Sequence, residues 1–121
     1  MRLELVEIKT DTIPLDGLLY LPEDRAIRGA AMIFHGNTMN FYTGAPRFLP
    51  PILCELGFVC LSFNRRGHDI MSIRDSRAAV GAAFQTTAEG IADNQFAAQW
   101  LSSRGFHTPL LIGHSNGGFL A

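Results

Sequence analysis

The chain has 121 residues, 47% of them hydrophobic and 17% charged, with a formal net charge of -1. That is apolar enough for one packed core, and the 10 basic and 11 acidic residues are scattered without the Lys/Arg clustering that several phosphates would require, so nucleic acid is not expected as a partner. No window approaches the about 18 consecutive apolar residues of a membrane span, and Met1 to Thr10 alternates apolar with charged residues instead of forming the apolar run of a signal peptide, which points to a cytoplasmic protein.

In chain order, Leu3 to Ile8 and Gly17 to Leu21 are predicted strands, joined into an antiparallel hairpin by the turn-forming residues Pro14-Leu15-Asp16-Gly17. Gly29 to Phe34 is continuously apolar, as in a strand covered on both faces, the usual pattern of a parallel sheet. After a loop rich in Gly, Asn and Thr, Pro46 to Leu56 places Phe48, Leu49, Ile52 and Leu56 at near-helical spacing. This predicts a helix with Pro50 and Pro51 in its first turn and Gly57 as its stop. Phe58 to Phe63 is the next apolar strand, and the order strand, helix, strand implies a right-handed parallel crossover. Cys54 and Cys60, the two cysteines, are too few for a disulfide framework or a four-ligand zinc site; they read as packed free thiols, in keeping with a reducing compartment.

Asn64 to Thr86 has no clean period and reads as a long excursion with room for one short helix. Within it Arg65 and Arg66 are expected to pair with loop carboxylates such as Asp69 or Asp75, the alternative being an anionic substrate group. Thr86 and Glu89 are spaced as a capping box, and Ile91, Ala92, Phe96, Ala97, Trp100 and Leu101 form the apolar stripe of a helix that ends at Gly105. Pro109 to Ile112 is predicted as a third buried strand. The resulting class is α/β: one domain over residues 1–121 with a mostly parallel sheet, an N-terminal antiparallel hairpin and flanking helices.

The last strand runs into Gly113-His114-Ser115-Asn116-Gly117, which matches G-x-S-x-G in the strand-to-turn setting of a nucleophile elbow. Such a turn strains the backbone of Ser115 and lifts its hydroxyl above the sheet edge. Side chains two residues before and after would then strike neighbouring backbone, and glycine at 113 and 117 removes them. The N–H of Asn116, at the start of the following helix, is the first candidate oxyanion donor.

Three blocks, Ile33-Phe34-His35-Gly36-Asn37, Phe63-Asn64-Arg65-Arg66-Gly67-His68 and Gly113 to Gly118, together resemble the α/β-hydrolase superfamily, over nearly the whole chain. The resemblance implies an N–H of Asn37 as the second oxyanion donor and a serine esterase acting on a small-molecule ester or acyl substrate through an acyl-enzyme, with no metal and no organic cofactor. It also implies triad members in the chain order Ser, then Asp or Glu, then His, and positions 116–121 hold no Asp, Glu or His. The chain is therefore expected to be the N-terminal half of such a domain, truncated just past the elbow and inactive alone. A non-catalytic fragment or binding module, associating through an exposed sheet edge, is the alternative. A dinucleotide-binding domain is disfavoured because no G-x-G-x-x-G follows the first buried strand. His35 and His114 are the candidate substrate-binding residues, although His35 also fits a role in orienting its loop; His68 fits loop packing, and His107 an exposed connector.

Overall fold

A computed structural model of the chain describes residues 1–68 and 85–121. Its elements are β1 (Arg2–Ile8), β2 (Leu15–Leu21), β3 (Gly29–Phe34), α1 (Ala45–Glu55), β4 (Phe58–Phe63), α2 (Thr87–Ser103), β5 (Leu110–Gly113) and the one-turn α3 (Asn116–Phe119). The strands form one mixed sheet in the order β1-β2-β4-β3-β5. β3 pairs in parallel with both β4 and β5, whereas the β1–β2 hairpin joins the sheet antiparallel to β4.

The hairpin turns earlier than the Asp-Gly pair suggested. Ile8 pairs with Leu15, so Leu15, Asp16 and Gly17 are strand residues and residues 9–14 make the connection. Thr10 closes that connection, accepting from the Thr12 N–H at 3.0 Å and donating to the Ile13 carbonyl at 2.9 Å. Gly17 is needed in the strand for space: a Cβ there would lie 2.8 Å from the Ser62 carbonyl oxygen of β4.

Alternation along β3 divides the core between the two faces of the sheet. Ala30, Met32 and Phe34 join Val59, Leu61 and Phe63 on one face, where Ala97 and Leu101 of α2 cover them. Phe34 and Phe63, paired in register, meet edge to face with centroids 5.8 Å apart. On the other face Ala31 and Cys60 pack with Cys54 of α1 and with Tyr20. Both cysteines are free and buried, and burial raises the pKa of each thiol, most strongly that of Cys60.

α1 buries a different face from the one its apolar residues predicted, whereas α2 buries Ala97 and Leu101 of the predicted stripe, with Phe96 and Trp100 packed against the core, but adds polar residues and leaves Ile91 out. In α1 the buried residues are Pro46, Pro50 and Cys54, at i, i+4 and i+8, while Phe48, Ile52 and Leu56 are more than half exposed. Pro50 and Pro51 consequently lie inside the helix, beyond its first turn, and two intrahelical hydrogen bonds are lost there. The helix starts at Ala45, one residue before the expected Pro46, and the Gly44 carbonyl accepts from the Arg47 and Phe48 N–H groups at 3.0 and 3.2 Å. In α2 the capping box at Thr86 and Glu89 forms as predicted, with contacts of 2.7 and 3.2 Å. Its buried face, however, is Gly90, Asp93, Asn94, Ala97 and Leu101, and Ile91 is 41% exposed.

β5 is the end strand next to β3, and the expected burial is absent: Leu110 and Leu111 are 51% and 56% exposed. It has parallel pairing on one side only, so its other edge is unpaired among the described residues. No described helix is long and apolar enough to cross a membrane. Most of the predicted excursion, including any short helix, Arg74, Arg77, Asp69 and Asp75, lies outside the described residues.

Candidate active site

The C-terminal ends of the three parallel strands converge on one place. β5 ends at Gly113, the chain turns at His114 and Ser115, and α3 begins at Asn116. Ser115 holds φ 53 and ψ -123, a conformation that costs a non-glycine residue on the order of 1–3 kcal/mol, and it is exposed. The turn is held by the His114 N–H donating to the Phe34 carbonyl at 3.1 Å and by the Gly117 N–H donating to the His114 carbonyl at 2.9 Å.

Glycine is required on both sides of the serine for the reason the sequence suggested. A Cβ at Gly113 would sit 2.3 Å from the Gly118 Cα, and one at Gly117 would sit 2.4 Å from the Phe34 carbonyl oxygen. Neither residue has a positive φ, so the requirement at these positions is space, while the strained backbone is carried by Ser115 itself.

The loop after β3 lies against this corner. A Cβ built on Gly36 would be 3.0 Å from the His114 Nδ1, which puts Gly36 in contact with the residue before the serine. Ser62 of β4 and Asn64 just after it pin the loop: the Phe41 N–H donates to the Asn64 Oδ1 at 2.7 Å, and the Ser62 hydroxyl donates to the Phe41 carbonyl at 3.4 Å. Asn37 is exposed at the start of the loop and Asn116 half-buried at the start of α3. Among the described residues neither of their backbone N–H groups donates a hydrogen bond.

The candidate histidines separate by burial. His114 is exposed beside Ser115. His35 is fully buried, and both of its ring nitrogens are engaged by backbone: Nε2 accepts from the Arg65 N–H at 3.1 Å and Nδ1 meets the Gly36 carbonyl at 2.7 Å. No ring nitrogen of His35 is left for a substrate, which removes the basis for expecting it to bind one. The His68 ring packs on His35 with centroids 4.6 Å apart, and its Nδ1 faces the Arg66 carbonyl at 3.0 Å, the loop-packing arrangement. His107 is exposed and its Nδ1 lies 2.8 Å from the Ser102 hydroxyl.

Desolvation, followed by the charge of Arg65, lowers the His35 pKa to about 3. The sign of the consequence is fixed by the unfolded chain, whose histidines titrate near 6.5. As pH falls from about 6.5 toward 3 the unfolded state takes up a proton that the folded state refuses, so stability is lost in that interval. We expect unfolding free energy to drop by about 1 kcal/mol between about pH 7 and pH 5.5, measured by urea titration at each pH. Equal stability at the two values would contradict a neutral, buried His35.

Arg65 and Arg66 have opposite surroundings despite being adjacent. Arg66 is paired through Nε and NH2 with the fully buried Asp93 of α2, at 3.0 and 2.7 Å to Oδ1, and its backbone N–H donates to Oδ2 at 2.8 Å. The guanidinium stays charged, its pKa raised by the Asp93 hydrogen bonds. Arg65 is fully buried with none of its side-chain nitrogens hydrogen-bonded among the described residues, and burial lowers its pKa. Asp93 and Asn94 escaped the sequence reading because an apolar stripe was sought along α2. The available signal was the run Gly90, Asp93, Ala97, Leu101, whose helical spacing places a carboxylate on the face with the core residues. Asn94 ties α2 to the end of α3, its Nδ2 donating to the Leu120 carbonyl at 2.7 Å. No group of three or more His, Cys, Asp or Glu among the described residues could hold a metal ion.

Solved structures share this arrangement of strands and helices. Est1E from Butyrivibrio proteoclasticus, with ferulic acid bound, superposes with a TM-score of 0.77 over 95% of this chain at 20% identity. Dienelactone hydrolase from Anabaena variabilis gives 0.75 over 99% at 19% identity, and an epoxide hydrolase from Vigna radiata gives 0.70 over 98% at 15%. The chain carries part of an α/β-hydrolase fold. It spans 44%, 55% and 32% of the lengths of those three proteins. No protein-family model and no curated protein matches the sequence. Est1E, a dienelactone hydrolase and an epoxide hydrolase thus share one architecture, which by itself does not select a reaction.

Proposed function

We propose that Ser115 is the nucleophile of an acyl hydrolase acting on carboxylic esters or related acyl bonds. In this reading the Ser115 Oγ attacks the substrate carbonyl, and the N–H groups of Asn37 and Asn116 stabilise the oxyanion of the tetrahedral intermediate. Each such donor contributes about 3 kcal/mol to transition-state stabilisation. The leaving alcohol departs, and water hydrolyses the acyl-serine to release the acid. His114 lines the approach to the serine. The observation that carries this function is the exposed Ser115 held at φ 53 between β5 and α3, a strained position that packing alone gives no reason to maintain. A carboxylic acid, ferulic acid, is the ligand named for Est1E, which is in line with an ester as substrate here.

A serine hydroxyl is a weak nucleophile without a base. His35 is committed to backbone contacts, and the chain spans 44% and 55% of two structures that share its fold, so this reading assigns the general base and its carboxylate to the remainder of that fold. Residues 1–121 alone are expected to hydrolyse p-nitrophenyl esters at the background rate. In the natural gene product a fluorophosphonate probe should label Ser115, and Ser115→Ala should abolish labelling. Label that persists in Ser115→Ala rejects the serine as nucleophile, and a gene product that neither labels nor turns over esters supports a binding module in its place.

A further inference from the structure

Burying a guanidinium without a carboxylate lowers stability, and proteins ordinarily pair such a charge or leave it in water. Arg65 does neither. Its side chain is fully buried, and Nε and both terminal nitrogens lack a hydrogen-bond partner among the described residues. The adjacent Arg66 takes the buried carboxylate of Asp93 with its side chain and its backbone N–H. Two guanidinium groups thus stand beside one buried carboxylate, and the trio keeps a net positive charge. Burial lowers the Arg65 pKa, yet a guanidinium stays protonated near neutral pH. Its nitrogens are closed to solvent, so Arg65 acts on chemistry through its field and not by contact with a ligand.

The place of Arg65 in the chain brings that field to the serine corner. Arg65 lies two residues beyond the end of β4, and its N–H donates at 3.1 Å to the His35 Nε2, at the start of the loop that carries Asn37. After burial, the Arg65 charge is the next cause that lowers the His35 pKa to about 3, so the field is felt inside that loop. The neutral imidazole adds no opposing charge. A charge in the interior is screened less than one in water, and a fixed cation needs no reorganisation when negative charge develops. We propose that Arg65 is a non-contacting electrostatic residue for acyl transfer: its unpaired guanidinium stabilises the oxyanion formed on the carbonyl that Ser115 attacks. This rests on the reading of Ser115 and Asn37 given above. It also accounts for the missing carboxylate, which would cancel the field, and for the different surroundings of two adjacent arginines.

Charge and shape can be separated because the Arg65 side chain makes no hydrogen bond that a substitution would break. Arg65→Met keeps a long side chain without the charge, and Arg65→Lys keeps the charge. In the natural gene product, with p-nitrophenyl acetate as substrate, Arg65→Met is expected to lower kcat on the order of 10-fold and to change KM by less than about three-fold. Arg65→Lys should hold kcat within about three-fold of wild type. Phenylboronic acid, which binds a serine as an anionic tetrahedral adduct, should lose affinity for Arg65→Met by the same factor as kcat. A structural role would not make that loss follow kcat while KM stays constant. Wild-type kcat in Arg65→Met, equal losses in the Met and Lys variants, or unchanged boronate affinity overturns the proposal. If Arg65→Met does not fold, the nitrogen-15 resonances of the wild-type Arg65 guanidinium decide: an unpaired group supports the proposal, and a carboxylate hydrogen bond overturns it. Turnover that survives Ser115→Ala would reject the serine reading, whereas turnover lost in Ser115→Ala but intact in Arg65→Met rejects the role of the charge alone.

Discussion

Gly117→Ala is expected to cost about 3 kcal/mol or more and to dismantle the serine corner, because the added methyl would enter backbone rather than side chains. Its Cβ would lie 2.4 Å from the Phe34 carbonyl oxygen and 2.5 Å from that of His35. Those atoms end β3, which is paired on both sides and cannot retreat without breaking its ladders with β4 and β5. The His35 carbonyl also belongs to the loop that presents Asn37, so displacement there would disturb the proposed oxyanion donor together with the serine. Gly105→Ala provides the contrast. Nothing lies within 4 Å of a Cβ at Gly105, and only its φ of +90 opposes the change, so a loss of about 1 kcal/mol is expected. Denaturant midpoints of the two variants test the distinction, and similar losses would show that the crowding at Gly117 is relieved by movement.

Asp93→Ala is expected to cost about 3–5 kcal/mol, the usual result of removing one partner of a buried ion pair. Asp93 is fully buried and accepts from both the side chain and the backbone N–H of Arg66, so its loss strands a charge and a backbone donor at once. Asp93→Asn should recover little of this, since an amide brings N–H groups toward a guanidinium that can only donate. The exposed partners of the same guanidinium, Asp11 at 3.5 Å and Glu89 at 3.8 Å, cannot replace it. Their truncation should change stability by less than about 1 kcal/mol. Thermal unfolding of the set would check this ranking, and a mild Asp93→Ala would mean that Arg66 escapes to solvent.

The two residues also link the site to the core. Arg66 follows Arg65, whose N–H donates to the His35 Nε2, so the α2 carboxylate and the loop that carries Asn37 are joined through two adjacent residues of one turn. Loosening at Asp93 is therefore expected to reach the site as well as the global stability.

Several features were set by the chain locally. The apolar runs at Gly29–Phe34 and Phe58–Phe63 are strands, Thr86 with Glu89 begins a helix, and Gly113 and Gly117 flank a serine that no side chain may crowd. The strands, the cap and the need for glycine at 113 depend on neighbours within a few residues, where propensity, capping and steric exclusion act locally. Glycine at 117 is legible only because the turn motif carries it against the end of β3. Tertiary structure decided the remainder. It placed β4 between the hairpin and β3, turned α1 so that Pro50 is buried and Phe48 exposed, rotated α2 toward Asp93, and left β5 at an edge. The physical reason is that a buried face is chosen by what lies opposite: the turn after β4, which offers Arg66, selects a carboxylate over Ile91, and that pairing spans 27 residues of sequence. The role of His35 was open for the same reason, since an imidazole in a loop reads as donor, acceptor or ligand until the Arg65 N–H and the Gly36 carbonyl occupy its two nitrogens.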